Sequence, residues 1–598
     1  MTKFHELKVL NPPLTSTQKT WGVTMMVLLT AFYFFCEPFE PVYPSHKLRD
    51  EYDYIVIGGG TAGSVIAHRL AELGNTSILV IEAGRHDYDH SIRIPAASIS
   101  LLDPDKNLVW NYKTVPQQGS AQGFLNNRMT LPLGKVLGGS SSIGDMIYGR
   151  GNPADFNSWG AGWSWQDLLP FFLKGERAMD IDSSQYHNTN GELPISRGEE
   201  ECELSNAFTS AAQELGLKAV DYTSKEQIGV SQTLFTMKSG ERWSAARAFL
   251  EPALNRRYKV HMTTNSVASK ILFSGNRATQ VVFNEDGVNK AVRATKEIIV
   301  TGGAIETPKL LMLSGIGPAD ELNKHKIPVV ADLPVGKGLK DPMKIWLRYK
   351  SDNKVSVTRD KLTSAKSFLE YYFNKAGTWS ETLQSQTTVF IDTKKSSSQP
   401  DVNINMLRAV ALPNQAEILG VKYELEDSFN AGLYDSNTEG FTFVPTLLHP
   451  ASTGQVQLRS TGTHDPPLID PAYFSNEDDV NTFLAAIRYV QKLAGTKSLS
   501  PFVSEKVDYP ANQHLYDSDE YWRHIIRQFA FTAGHPSGTC SIGKVVDSEL
   551  RVKGVEGLRV VDSSVFPATV SGDSTGVLYG IAEKISDIIK KENGQLSD

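Results

Sequence analysis

YDYIVIGGGTAGSVIAHRLAELGNTSILVIEAG, from Tyr52 to Gly84, is the stretch of sequence that decides the fold. Its residues Tyr54–Ile57 are mostly apolar and β-branched, which predicts a buried strand. Apolar residues then recur at helical spacing over Ser64–Leu73, and Ser77–Ile81 predicts a second strand. Because strands and helices are mixed through the rest of the chain, we expect an α/β fold.

The turn of this unit, GGGTAG, matches the G-x-G-x-x-G pattern of dinucleotide-binding folds. Gly58 permits a tight turn, Gly60 lets the backbone approach a pyrophosphate, and Gly63 lets the helix pack closely on the strand. The pyrophosphate would lie at the helix N-terminus formed by Thr61 and Ala62, where unpaired N–H groups and the positive end of the helix dipole favour anions.

Glu82 ends the second predicted strand, 19 residues after Gly63. A carboxylate at this distance accepts hydrogen bonds from both ribose hydroxyls of an adenine dinucleotide and repels a 2′-phosphate. The stretch therefore predicts an adenine dinucleotide, with FAD and NAD as the alternatives.

Composition sets broader limits. The 598-residue chain is long enough for two or more cores, and its net charge of −7 with no Lys/Arg cluster argues against a nucleic-acid partner. Its three cysteines, Cys36, Cys202 and Cys540, form neither a disulfide framework nor a zinc pattern. We expect free thiols rather than one bridge, and no metal.

The leader, residues 1–49, contains an uncharged apolar run at residues 20–36 and a Pro-rich linker. The run is either a cleaved signal peptide or an uncleaved membrane anchor. The long polar segment before it and the lack of a small-x-small cleavage site favour the anchor. Lysines before the run and Glu37 and Glu40 after it favour a cytosolic N-terminus. We expect the secretory pathway, with a membrane-anchored lumenal or extracellular body or a secreted one; the sequon at Asn75 is compatible with that location.

Two further glycine-rich stretches come later in the chain. GKVLGGSSSI, residues 134–143, would bring backbone N–H groups and small hydroxyls close to a flat or anionic ligand. GGAIETPKLLMLSGIG, residues 302–317, follows a predicted strand at Glu297–Thr301 and continues as a helix that should start near Thr307 and Pro308.

These stretches resemble the signatures of the glucose–methanol–choline (GMC) family of FAD-dependent oxidoreductases, in particular its insect-type, glucose dehydrogenase-like members. The segments LLHPASTGQVQLRSTGTHDPPLIDPAYF (447–474) and GHPSGTCSIG (534–543), with the run up to Thr569, are similar to the family's closing segment. The resemblance covers about residues 50–589 and implies that the dinucleotide is FAD.

The resemblance also implies a domain plan: a Rossmann-like FAD-binding domain and a second, substrate domain built on an antiparallel sheet packed by helices. Residues 50–345 would form the FAD-binding region, with substrate-domain insertions at about 155–255. Residues 346–530 would be mainly substrate domain. Residues 531–598 would return to the FAD domain and end in a disordered tail.

Further cofactor contacts follow from the resemblance. Gly58, Gly60, Gly63 and Glu82 would hold the ADP half, and Ser140 with its neighbours would approach the flavin ring. The adenine end would meet Val267, and the pyrophosphate–ribityl region Asp562. The contacts expected beyond the first glycine stretch and Glu82 are Gly139, Ser140, Gly144, Ile147, Val267 and Asp562.

Oxidation of an alcohol removes a hydride from carbon and a proton from oxygen, so a side chain must take the proton. Histidine suits this role because its unperturbed pKa of ~6.5 lies near working pH. The resemblance places His535 at the family's base position, whereas His187, His449 and His464 are interpreted as surface or packing residues. The substrate would be a sugar, sterol, retinoid or similar small alcohol; oxygen, a quinone and a protein stay open as electron acceptors.

The chain departs from the family pattern at several positions. Gly144-Asp145 replaces Asn-Gly, and Gly338 and Pro342 replace Asn and His in VGKGLKDP. Asp573 stands where the family has His or Asn, and it is the second predicted catalytic residue. A carboxylate there only accepts hydrogen bonds, and it would oppose charge on a reduced flavin by roughly 3 kcal/mol at ~5 Å and an effective dielectric of ~20.

Three interpretations of Asp573 follow: it is protonated, it pairs with His535, or the protein is a weak catalyst. We favour the pairing. The alternative function is a flavin-binding homologue with weak or lost catalysis that serves a binding or structural role; a photochemical or lyase activity is a third.

Overall fold

The computed structural model describes residues 47–594 except 199–201, 256–258, 396–397, 412–414, 431–432, 434, 436 and 510–513. The predicted apolar segment at 20–36, Cys36 and the end of the expected disordered tail lie outside these residues. Within the described ranges, no helix combines the length and the apolar character that crossing a bilayer requires. Cys202 and Cys540 are free thiols, as predicted.

A seven-stranded mixed sheet carries the opening sequence motif. Its strands in spatial order are Lys259–Thr263, Ser77–Ile81, Glu51–Ile57, Val288–Val300, Arg277–Glu285 and Ser266–Ser274, with Leu558–Val560 paired to Val288–Val300. The first four and Leu558–Val560 run parallel, and the last two add an antiparallel meander. The strand Glu51–Ile57 starts three residues before the predicted Tyr54.

Three helices begin at the carboxyl ends of this sheet or beside them. We call them α1 (Thr61–Ala71), α2 (Gly303–Leu313) and α3 (Thr575–Glu592). The strand before α2 is far longer than the predicted Glu297–Thr301, because it extends the meander outward to Val288.

The prediction that α2 starts near Thr307 and Pro308 is wrong, since the helix begins at Gly303. Pro308 is inside the helix, where it cannot donate to the carbonyl of Ala304. That carbonyl instead accepts a hydrogen bond of 2.8 Å from Thr539 Oγ1. A side chain from a distant segment thus satisfies the group that the proline leaves free.

The second large sheet is antiparallel and has eight strands. In spatial order they are Glu505–Val507, Leu347–Lys350, Gly440–Leu447, Val402–Leu407, Thr387–Ile391 and Gly229–Gln232; Met343–Lys344 pairs with Gly440–Leu447 and with Phe531–Thr532. Helices Glu203–Glu214, Glu477–Ala494 and Asp519–Phe529 contribute to one apolar core with it, through Phe208, Ile487 and Trp522. This architecture confirms the predicted fold class; the domain boundaries stay a prediction.

Smaller elements complete the described chain. Short sheets join Val109–Lys113 to Thr130–Gly134, Glu176–Ala178 to Leu193–Ile195, Met237–Lys238 to Glu241–Arg242, Ile316–Gly317 to Ala331–Asp332, and Lys337–Leu339 to Gly454–Gln457 and Leu468–Asp470. Further α-helices are His90–Arg93, Trp165–Gly175, Glu251–Asn255, Ala319–Lys324, Arg359–Thr363, Ala365–Asn374, Gln415–Leu419 and Tyr423–Asn430.

α1 and α3 are joined by a buried ion pair. Arg69 on α1 donates from Nε to Glu583 on α3 at 2.7 Å, and the Glu583 side chain is fully buried. Arg69 also bonds Glu72 and Glu192. His68, Glu72 and Glu192 lie close enough together to hold a metal ion. The carboxylates of Glu72 and Glu192, however, already accept hydrogen bonds from the Arg69 guanidinium.

Candidate active site

A cavity of about 420 Å³ opens at the carboxyl ends of the parallel strands. Ile57, Ile81 and Val300 end three adjacent strands, pair with one another in register and line this cavity. Crevices at this edge of open α/β sheets are the usual place for a ligand. The antiparallel sheet contributes the opposite side of the same cavity.

The N-terminus of α1 faces the cavity through Gly60, Thr61 and Ala62. No side chain caps this helix, and its first backbone bond runs from Ser64 N–H to the Gly60 carbonyl. The preceding N–H groups therefore have no partner within the helix, which suits a pyrophosphate.

The glycines of the two stretches meet at this point. A Cβ on Gly63 would lie 1.9 Å from the Gly58 carbonyl oxygen, and Gly58 itself has φ +110°. A Cβ on Gly139 would lie 2.8 Å from Gly60 Cα. The close packing of backbone leaves room for a flat or anionic ligand and none for side chains, as expected for an FAD cradle.

Glu82 lies at the cavity wall, where it is 6% exposed. Its carboxylate accepts hydrogen bonds from Gly59 N at 2.8 Å and Gly84 N at 2.7 Å. Burial raises the pKa of Glu82 to about 7. Because a carboxylate offers more acceptor sites than two N–H groups use, it can also receive ribose hydroxyls.

Asp562 is 5% exposed and ties α2 to the closing segment. It accepts from Gly303 N at 2.9 Å, Thr307 Oγ1 at 2.6 Å and Ser564 N at 2.8 Å, while burial raises its pKa. Both carboxylate oxygens therefore already have protein partners. Asp562 lines the cavity and fixes the N-terminus of α2 beside it.

The structure brings nearly every predicted site residue to this one cavity. Gly63 is the exception, since it packs against Gly58 instead. The predicted residues that line the cavity are Gly58, Gly60, Thr61, Ala62, Glu82, Gly139, Ser140, Gly144, Ile147, Val267, His535, Asp562 and Asp573.

His535 and Asp573 face each other, with 3.6 Å between Nε2 and Oδ2. This distance is within ion-pair range but exceeds that of a good hydrogen bond. Asp573 Oδ1 accepts from Thr575 N at 2.7 Å, at the N-terminus of α3. The positive end of this helix favours a negative charge on Asp573, which offsets the repulsion expected from the sequence.

Asp341 is a site residue that sequence analysis missed. It is 2% exposed and accepts from His535 N at 3.1 Å, Thr532 Oγ1 at 2.5 Å and Tyr473 Oη at 2.5 Å. Burial raises its pKa. The signal was present in VGKGLKDP, where this aspartate directly precedes Pro342.

A second buried carboxylate, Asp155, holds the chain before Asp573. It accepts from both the backbone N–H and the hydroxyl of Ser571 at 2.7 Å. His449 Nε2 is 2.9 Å from the same hydroxyl, and burial lowers the pKa of His449. His449 thus packs behind the site.

His187 and His464, which were also interpreted as surface or packing residues, do not line the cavity that contains His535 and Asp573. His187 lies between Glu176 and Asp221, 2.7 and 3.1 Å from their carboxylates, and His464 is exposed.

The antiparallel sheet contributes a polar wall, which we define as Gln384, Thr388, Asn403, Asn405 and Thr446; all five line the cavity. Thr388 Oγ1 donates to Asn405 Oδ1 at 2.8 Å and accepts from Asn403 Nδ2 at 2.8 Å. Gln384 Nε2 donates to Asp145 Oδ2 at 3.1 Å. Beside this wall, Tyr222 and Phe390 stack with centroids 5.5 Å apart.

The departures at Gly144 and Asp145 change this side of the cavity. Asp145 adds a carboxylate near the buried guanidinium of Arg242, whose Nη1 bonds the Gly144 carbonyl at 2.5 Å. Burial lowers the pKa of Arg242 to about 10. Asp145 therefore has both an amide donor and a nearby cation.

Known proteins resemble the chain over most of its length. The family model described as GMC oxidoreductase matches residues 52–344 with its N-terminal part and 450–582 with its C-terminal part. Glucose dehydrogenase (FAD, quinone) of Drosophila melanogaster is 33% identical over 91% of this chain and 87% of the relative. Ecdysone oxidase of Spodoptera littoralis is 34% identical over 90% and 92%.

Among solved structures, pyridoxine 4-oxidase from Mesorbium loti superposes with a TM-score of 0.78 at 26% identity, covering 90% of this chain and 99% of that one. The matched family segments contain the FAD cradle and the His535–Asp573 pair. The chain therefore belongs to the GMC oxidoreductase family and is an FAD-dependent oxidoreductase of alcohol groups.

Proposed function

We propose that His535 is the general base that removes the hydroxyl proton of an alcohol CH–OH group. The bound FAD would accept the hydride from the same carbon. The observation that carries this proposal is the 3.6 Å approach of His535 Nε2 to Asp573 Oδ2 inside the cavity that also contains the glycine cradle.

Asp573 would act on His535 rather than on the substrate. An alcohol has one hydroxyl hydrogen, which it would donate to neutral His535 Nε2, so an ionised Asp573 could not receive a second one. When His535 takes the proton it becomes an imidazolium, and a carboxylate 3.6 Å away stabilises that charge. The pairing of His535 with Asp573 would thus assist the proton transfer.

Asp341 supports the same step from behind. Its bond to the His535 backbone fixes the loop, while Thr532 and Tyr473 fix Asp341. Such positioning keeps a catalytic group in reach of the reacting atom without further reorganisation.

The test is anaerobic bleaching of the flavin by a panel of alcohols, compared between the natural protein and His535→Asn. The loss of a general base should slow reduction by about 10²–10⁴-fold while the yellow flavin stays bound. Equal rates in the two proteins would exclude His535 as the base.

A protein whose bound flavin no alcohol reduces would favour the alternative, a homologue with lost catalysis. The departures at Gly144, at Gly338 and Pro342, and at Asp573 motivate that alternative. The N-terminus of α3 offsets the charge of Asp573 alone. The electron acceptor requires a separate test. Once an alcohol has reduced the flavin, mixing the protein with oxygen or with a soluble quinone shows which of them reoxidises it. The name of the Drosophila relative includes quinone.

We further propose that the enzyme body enters the secretory pathway, either anchored by residues 20–36 or secreted. The apolar run supports this, and the sequon residue Asn75 is exposed in the turn after α1. A shift in mass on deglycosylation, abolished by Asn75→Gln, would support the proposal. Recovery of full-length protein in the cytosol would contradict it.

A further inference from the structure

Lys344 lies on the short strand Met343–Lys344, paired with Thr446 on one side and Phe531 on the other. It lines the same cavity as His535. Its Nζ is 5.5 Å from the centroid of the Phe531 ring. The strand follows directly from Asp341, which holds His535, so the lysine belongs to the substrate side of the active site.

Among the residues that the structure describes, the charge of Lys344 has no partner of opposite sign. Within the ranges that the structure describes, no carboxylate lies within 4.0 Å of its Nζ. The carboxylates on this side of the cavity have donors of their own: Asp573 accepts from Thr575 N–H at the N-terminus of α3, and Asp145 accepts from Gln384 near the Arg242 guanidinium. Lys344 is therefore the cation on this side that a bound anion can pair with.

The polar wall also contains an acceptor without a partner. Gln384 is 8% exposed, and its Oε1 is buried without a hydrogen-bond partner among the described residues. A buried polar atom without a partner costs free energy unless a ligand or water satisfies it. A hydroxyl or N–H of a bound molecule would satisfy this one.

We propose that Lys344 binds an anionic substituent of the substrate, a carboxylate, sulfate or phosphate ester, so that the preferred substrate is an alcohol with a negatively charged group. The inference deepens the proposed function and rests on it, because the same molecule presents its reacting hydroxyl to His535. The polar wall binds the remaining hydroxyl or amide groups, and Gln384 Oε1 accepts one of them.

The physical argument is one of electrostatics in a partly dehydrated site. An ammonium group without an anion in such a cavity keeps only part of its hydration, so a bound anion restores the lost interaction energy. A cationic alcohol would be repelled by the same group. Charge therefore becomes the main selector among alcohols of equal size.

The test compares matched alcohols that differ only in one group: neutral, carboxylate, sulfate ester, phosphate ester and quaternary ammonium. The ratio of kcat/KM between the anionic and the neutral member should be above one in the natural protein. It should fall by roughly ten- to a hundredfold in Lys344→Met, the range for a lost charge-assisted hydrogen bond. Lys344→Arg should retain most of the preference. The anionic group that gives the largest kcat/KM ratio is the preferred substituent.

Lys366→Met is the matched control, since Lys366 lies on the surface with its side chain 83% exposed. It should leave the ratio unchanged. The proposal is overturned if the natural protein shows no anion preference, or if Lys344→Met slows neutral and anionic alcohols equally. The second result would mean that Lys344 does not discriminate among alcohols by their charge.

A binding measurement separates this proposal from failure of the proposed function. Titration with a carboxylate and a sulfate ester that lack a reacting hydroxyl should perturb the flavin absorbance of the natural protein. The apparent Kd should rise at least tenfold in Lys344→Met. If no alcohol reduces the flavin but this shift appears, the anion site stands and the catalytic proposal fails. Equal Kd values in both proteins would overturn the anion site.

Discussion

The backbone N–H of His535 donates to the buried carboxylate of Asp341 at 3.1 Å. The two residues are far apart in the chain, and the contact places the imidazole by holding its own backbone. The hydroxyls of Thr532 and Tyr473 donate to the other carboxylate oxygen of Asp341. The position of the proposed base therefore depends on Asp341, which does not line the cavity itself.

Asp341→Asn should lower kcat by about tenfold or more without releasing FAD. The amide has one acceptor oxygen for three donors, and a mispaired buried group costs about 1–3 kcal/mol. The measurement is the rate of anaerobic flavin reduction at saturating alcohol, together with the flavin content. Asp352→Asn, at an exposed position, is the control. An unchanged reduction rate would show that His535 is positioned without Asp341.

Asp573→Asn should slow flavin reduction at saturating alcohol by about tenfold or more while FAD stays bound. When His535 takes the hydroxyl proton, the carboxylate 3.6 Å from its Nε2 stabilises the positive charge that forms, and the substituted amide carries no such charge. The rate should fall less than it does in His535→Asn, which lacks the proton acceptor itself. An unchanged rate of anaerobic flavin reduction would remove Asp573 from the proton path.

Glu82 should make the FAD-free protein lose stability as pH rises. Burial raises the folded-state pKa to about 7 from 4.5, so the stabilising contribution is complete below about 4.5 and is lost as pH rises through about 7. The difference corresponds to about 3 kcal/mol. Thermal unfolding of FAD-free protein across this range measures it.

Glu82→Gln should remove that pH dependence, whatever it does to absolute stability. The substituted amide has no titrating group but keeps one acceptor for the N–H of Gly59 or Gly84. A slope between pH 4.5 and 7 that persists in the variant would assign the effect to other groups. Weaker FAD binding by the variant is expected too, because one ribose acceptor is lost.

Local sequence patterns predicted the dinucleotide cradle well. Gly58, Gly60 and Gly63 specify a turn whose geometry depends on a few neighbouring residues, and Glu82 ends the next strand along the chain. The start of α2 was predicted wrongly, because a proline inside a helix requires a partner such as Thr539, which only tertiary structure supplies.

The substrate side could not be predicted from local patterns. Lys344 and Asn403 come from separate strands, and Gln384 joins them through an isolated bridge to Leu407. Long-range pairing brings the three together, and none belongs to a recognisable motif. The approach of His535 to Asp573 was expected only because the chain resembles a family. Asp341 stands in VGKGLKDP, but the sequence did not indicate its function, because that function depends on donors that lie nearly 200 residues later.

The ion pair between Arg69 and Glu583 should be required for stability, since it joins α1, which faces the FAD cradle, to α3, which carries Asp573 near its start. Glu583→Gln removes the fully buried carboxylate among the three that bond Arg69. Because Glu72 and Glu192 still bond the guanidinium, we expect a cost near the lower end of the about 3–5 kcal/mol typical of breaking a buried pair. Denaturant unfolding of the holoprotein should show a loss of this size. Asp587 also lies on α3, where it forms a more exposed contact with Lys174. Asp587→Asn should therefore cost less than about 1 kcal/mol. Equal stability of the two variants would mean that apolar packing alone, rather than the pair, holds α1 against α3.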